Sequence, residues 1–393
     1  MKFSPPKPSE REPILKRQQR LKMARSAHAY VRGNTLRFYE WLENSKAKLP
    51  QGPAVWICGD CHVGNLGPVA DAKGKVEIEV RDLDQTVIGN PAHDLIRLAL
   101  SLAMAARSSD LPGVTTALIL EQVMVGYCAA LQGSRTAGKP GKAEKSIRLV
   151  LKQALKRKWR HLATERIEDV RPEIPLGEKF WALSEEEKDA INQLFATEEA
   201  KKLATCLRGR DGGDEVEVVD AAYWMKGCSS LGRLRYAVLL RVGDGYCLMD
   251  IKQATRAAAP AYEGDSGSEA ERVVAGARAL SPYLGERMLA GRMLKRSVVL
   301  RELRPQDLKV ELERVSHEEA VAVARFLAGV VGKAHARQMK AAERREWRKQ
   351  LTEAMVKDLG APGWLWTSVV ELVAAHEVAY LEHCRRYALG VEE

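Results

Sequence analysis

The sequence predicts an α+β protein of two lobes: a large, mainly helical lobe and a small, β-rich lobe that interrupts it. Three observations carry this reading. Residues 21–210 show mostly helical patterning. A glycine-rich break at Arg208–Gly213 precedes three strand-like runs, Val216–Val219, Tyr236–Val242 and Tyr246–Ile251. From His317 the pattern is helical again, broken at Gly360–Gly363. The expected segments are a loose arm at 1–20, a helical lobe at 21–210, a β-rich lobe at 211–304, and C-terminal helices at 305–393 that complete the helical lobe. A chain of 393 residues is long enough for each lobe to bury its own core.

Within the first segment, helical patterning runs from Leu21 through Tyr39–Leu42. Val55–Ile57 reads as a strand. Val76-x-Ile78-x-Val80 alternates with period 2, and Asp71-Ala72-Lys73-Gly74 before it suits a hairpin tip. Asp94–Arg107 is apolar on nearly every face, as a buried central helix would be, with Asp94 expected to cap it. Further helices are expected at 114–132, 144–163 and 184–207. In the β-rich segment, Gly243-Asp244-Gly245 makes a tight hairpin. A helix follows at Glu269–Leu280, then a strand at Val298–Leu300.

Composition excludes little. Hydrophobic content of 46 % and charged content of 29 % are those of a globular protein. No uninterrupted apolar run reaches the roughly 18 residues of a membrane span. Residues 1–6 form no apolar signal region, so the expected compartment is the cytoplasm. The net charge of +10 suits anionic partners in general. Seven scattered cysteines do not form a disulfide framework.

The most informative segment is Cys58–Gly67, which parses in two ways. As Cys58-x-x-Cys61-His62 it spells a haem attachment site or a thiol motif. As Gly59-Asp60-x-His62-x-x-Asn65 it spells the catalytic loop of a phosphotransferase. Haem attachment needs an exported chain and a second axial ligand, neither of which is indicated. A zinc site would need two more ligands, but the other cysteines are isolated.

The phosphotransfer reading finds its remaining parts elsewhere. Asp60 would be the base. Asn65 and Asp82, with Asp84 as a further ligand, would hold Mg²⁺. His62 would orient the loop by hydrogen bonding. Gly227-Cys228-Ser229-Ser230-Leu231-Gly232 can bring backbone N–H groups close to phosphates. Lys252, at the end of a strand, would meet the phosphates of ATP, with Glu271 or Glu269 on the next helix as its acidic partner. The glycine-rich turn and Lys252 follow the catalytic loop in sequence, an order that circular permutation explains. The helix Ala320–Gln338 would then lead back to Asp60 in space.

Several segments together resemble the bacterial family called domain of unknown function 2252. They are Lys22–Ser26 with Tyr30–Gly33; Gly59–His62 with Asn65–Gly67; Asp82–Asp84 with Pro91–Leu98; Gly227–Gly232 with Ile251-Lys252; Arg272–Val274 with Gly276; and Ala334–Arg337. Leu66 replaces the phenylalanine usual there. The resemblance implies a circularly permuted, protein-kinase-like or aminoglycoside-phosphotransferase-like fold, with ATP, Mg²⁺ and a small-molecule acceptor. Adenylyl transfer and a nucleotide-binding pseudokinase are its variants. A competing reading is a basic nucleic-acid-binding protein. Lys145, Arg148, Lys152 and Lys156 recur at helical spacing, thickened by Arg157, Lys158 and Arg160 beside Trp159. The same helix carries an apolar side, Ile147, Val150, Leu151, Ala154 and Leu155, and so also reads as an ordinary amphipathic face.

Overall fold

The computed structural model describes residues 6–108, 113–133, 144–156, 173–207, 209–228, 230–260, 267–307, 316–353 and 360–388. The protein is α+β. Its first helices are α1 (Arg11–Ala24), α2 (Ala27–Gly33) and α3 (Thr35–Asn44). The chain breaks where a side chain can cap the next helix. Ser26 Oγ accepts from Ala29 N, and Asn34 Oδ1 from Arg37 N. The loose arm expected at 1–20 is corrected here, since α1 already starts at Arg11. Leu15 is buried, and the Arg11 guanidinium donates to both oxygens of Glu187 (2.6 and 3.1 Å) and to Ala182 O. A charge-rich helix with few apolar positions carries too weak a period to be read. Its anchor is a buried ion pair with a residue far along the chain.

Four short strands then frame the region of interest. β1 (Val55–Ile57) pairs antiparallel with β4 (Val87–Gly89), and β2 (Leu66–Ala70) with β3 (Val76–Val80) across the expected hairpin tip. Ile57 lies opposite Val87, and Leu66 opposite Val80. Residues 58–65 and 81–86 therefore bridge the same gap between two ladders and must run side by side. Behind them lies α4 (Ala92–Ser108), whose Leu95, Ile96, Leu98 and Leu100 are wholly buried. α5 (Gly113–Leu131) packs on α4. It is long and apolar enough to cross a membrane by length and composition, with half of that stretch buried inside the protein. α6 (Lys145–Lys156) exposes Lys145, Arg148, Lys152 and Lys156 and buries Ile147 and Ala154. Arg157, Lys158, Trp159 and Arg160 lie outside the described residues.

The β-rich part begins before residue 211. β5 (Phe180–Trp181), β6 (Val216–Trp224), β7 (Arg235–Val242), β8 (Gly245–Gln253), β9 (Met288–Met293) and β10 (Arg296–Glu302) form one antiparallel sheet, ordered β5-β6-β7-β8-β10-β9. The helix expected at 184–207 is two, α7 (Glu185–Phe195) and α8 (Glu198–Thr205), with Thr197 capping the second. Phe195 and Ala204 join the sheet's core with Tyr236, Val238 and Met249. α9 (Glu269–Leu280) and the short α10 (Pro282–Gly285) precede β9, a strand the sequence pattern did not reveal. The chain closes with α11 (His317–Ala336), α12 (Ala341–Glu353) and α13 (Gly363–Tyr387).

The β2–β3 hairpin is tied to the joint between α9 and α10 by one buried carboxylate. Glu79 accepts from Ser281 Oγ (2.7 Å) and Tyr283 N (3.1 Å). Burial pushes its carboxyl up to about 7 from 4.5, against these two donors and Arg337. The folded protein then holds a proton that the unfolded chain releases above pH 4.5. Through this group, stability falls as pH rises from about 4.5 to 7, then stays level. Thermal melts across that range should show Glu79→Gln gaining on the native protein, by at most about 3 kcal/mol at pH 8. A difference that does not vary with pH would contradict the assignment.

Candidate functional site

The loop that leaves β1 is fixed by a residue on α4. Asp94 accepts from Cys58 N (Oδ2, 2.7 Å) and from Gly59 N (Oδ1, 3.0 Å). The expected helix cap is thus corrected. Asn90 Oδ1 takes Ala92 N instead, and the Asp94 carboxylate reaches back across 35 residues. His335, near the end of α11, lies 3.1 Å from Asp94 Oδ2 through Nε2. Tyr127 OH is 2.9 Å from His335 Nδ1, and Trp347 Nε1 donates to that same hydroxyl (3.1 Å). An indole can only donate, so the tyrosine proton goes to Nδ1 and His335 carries its own on Nε2, toward Asp94. α11 therefore does lead back to the loop, as expected.

Gly59 cannot be another residue. Its φ is +73°, and a Cβ there would lie 2.0 Å from Gln85 O. That close approach welds loop 58–65 to segment 81–86. Tyr39 OH donates to Gly59 O at 2.7 Å. Arg272 on α9 adds a second clamp, donating to the carbonyls of Asp84, Thr86 and Thr255.

Asp60 is buried, with Arg97 Nε and Nη2 on its Oδ1 at 2.9 and 2.8 Å. Burial raises its carboxyl, and Arg97 partly offsets this. Asn65 Nδ2 donates to Asp60 O (2.9 Å), which commits the amide nitrogen and leaves Oδ1 to accept. His62 departs from expectation. Its Nε2 is 3.8 Å from Asp60 Oδ2, beyond hydrogen-bond range, and its buried Nδ1 has no partner among the described residues. Burial, with Arg32 and Arg97 nearby, holds the ring well below its usual pKa, so it is neutral at pH 7.

Across from this loop, Lys252 Nζ reaches Asp82 (3.2 and 3.4 Å to Oδ1 and Oδ2) and lies closer still to Asp84. Asp250, two residues earlier on the same strand face, is buried between Arg235 (2.9 and 2.6 Å) and Arg301 (3.2 and 3.0 Å). Sheet register explains the cluster: Arg235 stands opposite Lys252 on β7, and Arg301 opposite Asp250 on β10. Burial would raise the Asp82 carboxyl, but Lys252, Arg301 and Arg235 hold it well below the usual range. Asp84 moves the other way, through burial and the charge of Asp82.

A cleft of about 460 Å³ opens between these parts, lined by His62, Asn65, Asp82 and Gly227 among others. Lys252 and Asp84 sit beside it in an adjoining pocket that shares Asp82. Asp60 lies beneath the cleft and does not line it. Gly227 O accepts from Lys22 Nζ (3.1 Å). Ser230 Oγ lies 3.5 Å from Lys226 O, and neither Ser230 nor Gly232 lines the cleft. Ser229 lies outside the described residues. Glu271 is corrected: its carboxylate accepts from Ser268 N (2.6 Å) in a capping box, and Lys252 takes Asp82 and Asp84 in its place. Cys58 and Cys61 are buried thiols, with Cys58 Sγ 3.7 Å from Asp82 O.

The sequence gives no role to Arg97, Asp250, Arg235, Arg301 or Arg272, although Arg97 and Arg272 lie in the segments that carry the family resemblance. Two of them carry a signal, a charge set among apolar residues of a helix (Arg97) and of a strand (Asp250). Charged residues are almost never fully buried unless paired.

A bacterial family described as "Uncharacterized protein conserved in bacteria (DUF2252)" matches residues 11–386. The chain belongs to this family. The match starts where α1 starts and takes in every residue of the site. No curated protein and no solved structure matches the chain.

Gly59→Ala should cost about 3 kcal/mol or more in chemical denaturation, through left-handed strain and the collision with Gln85 O. Gly74→Ala is the control. It shares a positive φ (+87°), but the nearest atom is 3.8 Å away, so it should cost no more than about 1–2 kcal/mol. Equal effects would mean that the approach to Gln85 is unimportant.

Proposed function

We propose that this protein transfers a phosphoryl group from ATP, with Mg²⁺, to a hydroxyl or similar group of a small molecule, on a permuted kinase-like fold. The observation that carries this reading is the meeting of Lys252 with Asp82, 170 residues apart, at the edge of a cleft also lined by Asn65 and Gly227. A phosphotransferase needs a cation for phosphates, carboxylate and amide oxygens for the metal, and a turn that covers both.

The donor chemistry fits magnesium. Among the described residues no group of three or more His, Cys, Asp or Glu could hold a metal ion. Magnesium ordinarily takes one or two carboxylates and completes its shell with phosphate and water. Asp82 and Asp84 already hold a cation, the ammonium of Lys252, and Asn65 keeps Oδ1 available. Asn65, Asp82 and Asp84 would hold the ion, which would neutralise charge on the phosphate oxygens. Lys252 would turn from the carboxylates to the phosphates, and the Arg235–Asp250–Arg301 cluster would keep its strand in register. Asp60, its carboxyl raised by burial, would take the acceptor's proton.

One observation favours a second reading, nucleotide binding without transfer: Asp60 is locked to Arg97 and does not line the cleft. Adenylyl transfer would use the same residues.

ATP turnover, with water as acceptor if no other is supplied, separates these readings. Asp82→Ala should abolish Mg²⁺-dependent turnover. Lys252→Ala should weaken ATP binding roughly tenfold, the loss of one charge-assisted phosphate contact. Asp60→Asn should lower kcat by about 10²-fold or more and leave ATP affinity intact. Full turnover in Asp82→Ala would defeat the assignment. ATP binding with no turnover in the native protein would favour the second reading.

A further inference from the structure

The cleft carries more positive charge than a nucleotide requires. Seven Lys and Arg side chains line it, against a single carboxylate, Asp82. Asp250 offsets one of the two charges on Arg235 and Arg301, and these stand with Lys252 on the sheet side. ATP with its magnesium ion brings about two net negative charges, fewer than the positive charges that line the cleft. The remaining five are Arg81, Lys226 and three from the N-terminal helices: Lys22 on the last turn of α1, Arg25 just past its end, and Arg32 on the last turn of α2.

Among the described residues, none of these three makes an ion pair. Lys22 donates to the Gly227 carbonyl, and its burial lowers the pKa of its ammonium. Arg32 lies flat across the loop between His62 and Asn65. A Cβ on Gly64 would sit 2.7 Å from its Nη2, so glycine there is what admits the guanidinium. Arg81 adds a fourth cation on the cleft wall, and its buried Nε has no partner among the described residues. Helix C-termini tolerate cations, but that effect does not explain why two of these side chains leave their own helices for the catalytic loop and the glycine turn.

We infer that the acceptor is itself a phosphate-bearing small molecule, its phosphate held by Arg25 and Arg32 with Lys22 while its reacting hydroxyl faces Asn65. Paired guanidinium groups match the oxygens of a phosphate dianion, and several cations suit a doubly charged group better than a single carboxylate. The inference rests on the phosphotransfer reading for the word acceptor. The anion site itself can be tested separately.

The test is a titration of inorganic phosphate into the full chain already saturated with Mg²⁺ and a non-hydrolysable ATP analogue. Phosphate should bind as a second ligand. Arg25→Ala with Arg32→Ala should weaken it about tenfold or more, while affinity for the ATP analogue stays within about twofold. Arg25→Glu, at an exposed position, repeats the test without touching packing and should also lose phosphate. Phosphate that competes with the analogue, or variants that weaken both ligands equally, would give this wall to the nucleotide and overturn the inference, with phosphotransfer left standing. Absence of phosphate binding beside the bound analogue would also overturn it. Failure of the analogue to bind would defeat the phosphotransfer reading instead.

Discussion

The Asp94 carboxylate holds the backbone N–H groups of Cys58 and Gly59, and the geometry of the whole site follows from that anchor. It is a buried charge satisfied by two amides and an imidazole. Removing such a group's partners costs roughly 3–5 kcal/mol, because an unpaired charge is left in a poorly solvating interior. The anchor forces Gly59 into a left-handed turn against Gln85, which sets loop 58–65 beside segment 81–86. Asp60, Asn65 and Asp82 then come together although the β2–β3 hairpin separates them in sequence. The chain from Trp347 through Tyr127 and His335 stiffens the anchor from behind, so α5, α11 and α12 all bear on a loop that none of them contains.

The opposite wall obeys a different constraint. Its carboxylate Asp250 is shared by Arg235 and Arg301, and strand alternation places Lys252 on the same face. Lys252 is therefore rigidly presented to Asp82 and Asp84. The ammonium lies where a metal's charge would serve these carboxylates. Under the phosphotransfer reading, nucleotide and metal exchange partners with an ion pair that already exists, and less reorganisation is needed than if bare carboxylates faced each other. The low pKa of Asp82 and the raised pKa of Asp84 express the same arrangement: two neighbouring carboxylates share one strong cation.

Much of this arrangement is legible in the sequence because local rules set these positions. Asp60 and Asn65 stand at a fixed spacing after a strand, Asp82 ends an alternating strand, and Lys252 ends another. What failed were positions whose meaning is set by distant partners. Asp94 obeys the local rule for a helix start, and nothing within ten residues says that its carboxylate serves another segment. Glu271 shows the converse. It was assigned a distant partner, but the local capping box claimed it. Residues 11–20 read as a loose arm because their anchor is Arg11 with Glu187, and β9 gives no signal because Met288–Met293 neither alternates nor carries turn residues at its end.

The proposed function puts a nucleotide–magnesium site at the edge of the cleft, where Lys252 meets Asp82. A crystal structure with Mg²⁺ and a non-hydrolysable ATP analogue tests it most directly. The account predicts the metal on Asn65 and Asp82, with Lys252 turned from Asp82 and Asp84 to the phosphates. Analogue bound elsewhere, with Lys252 still on both carboxylates, would contradict it.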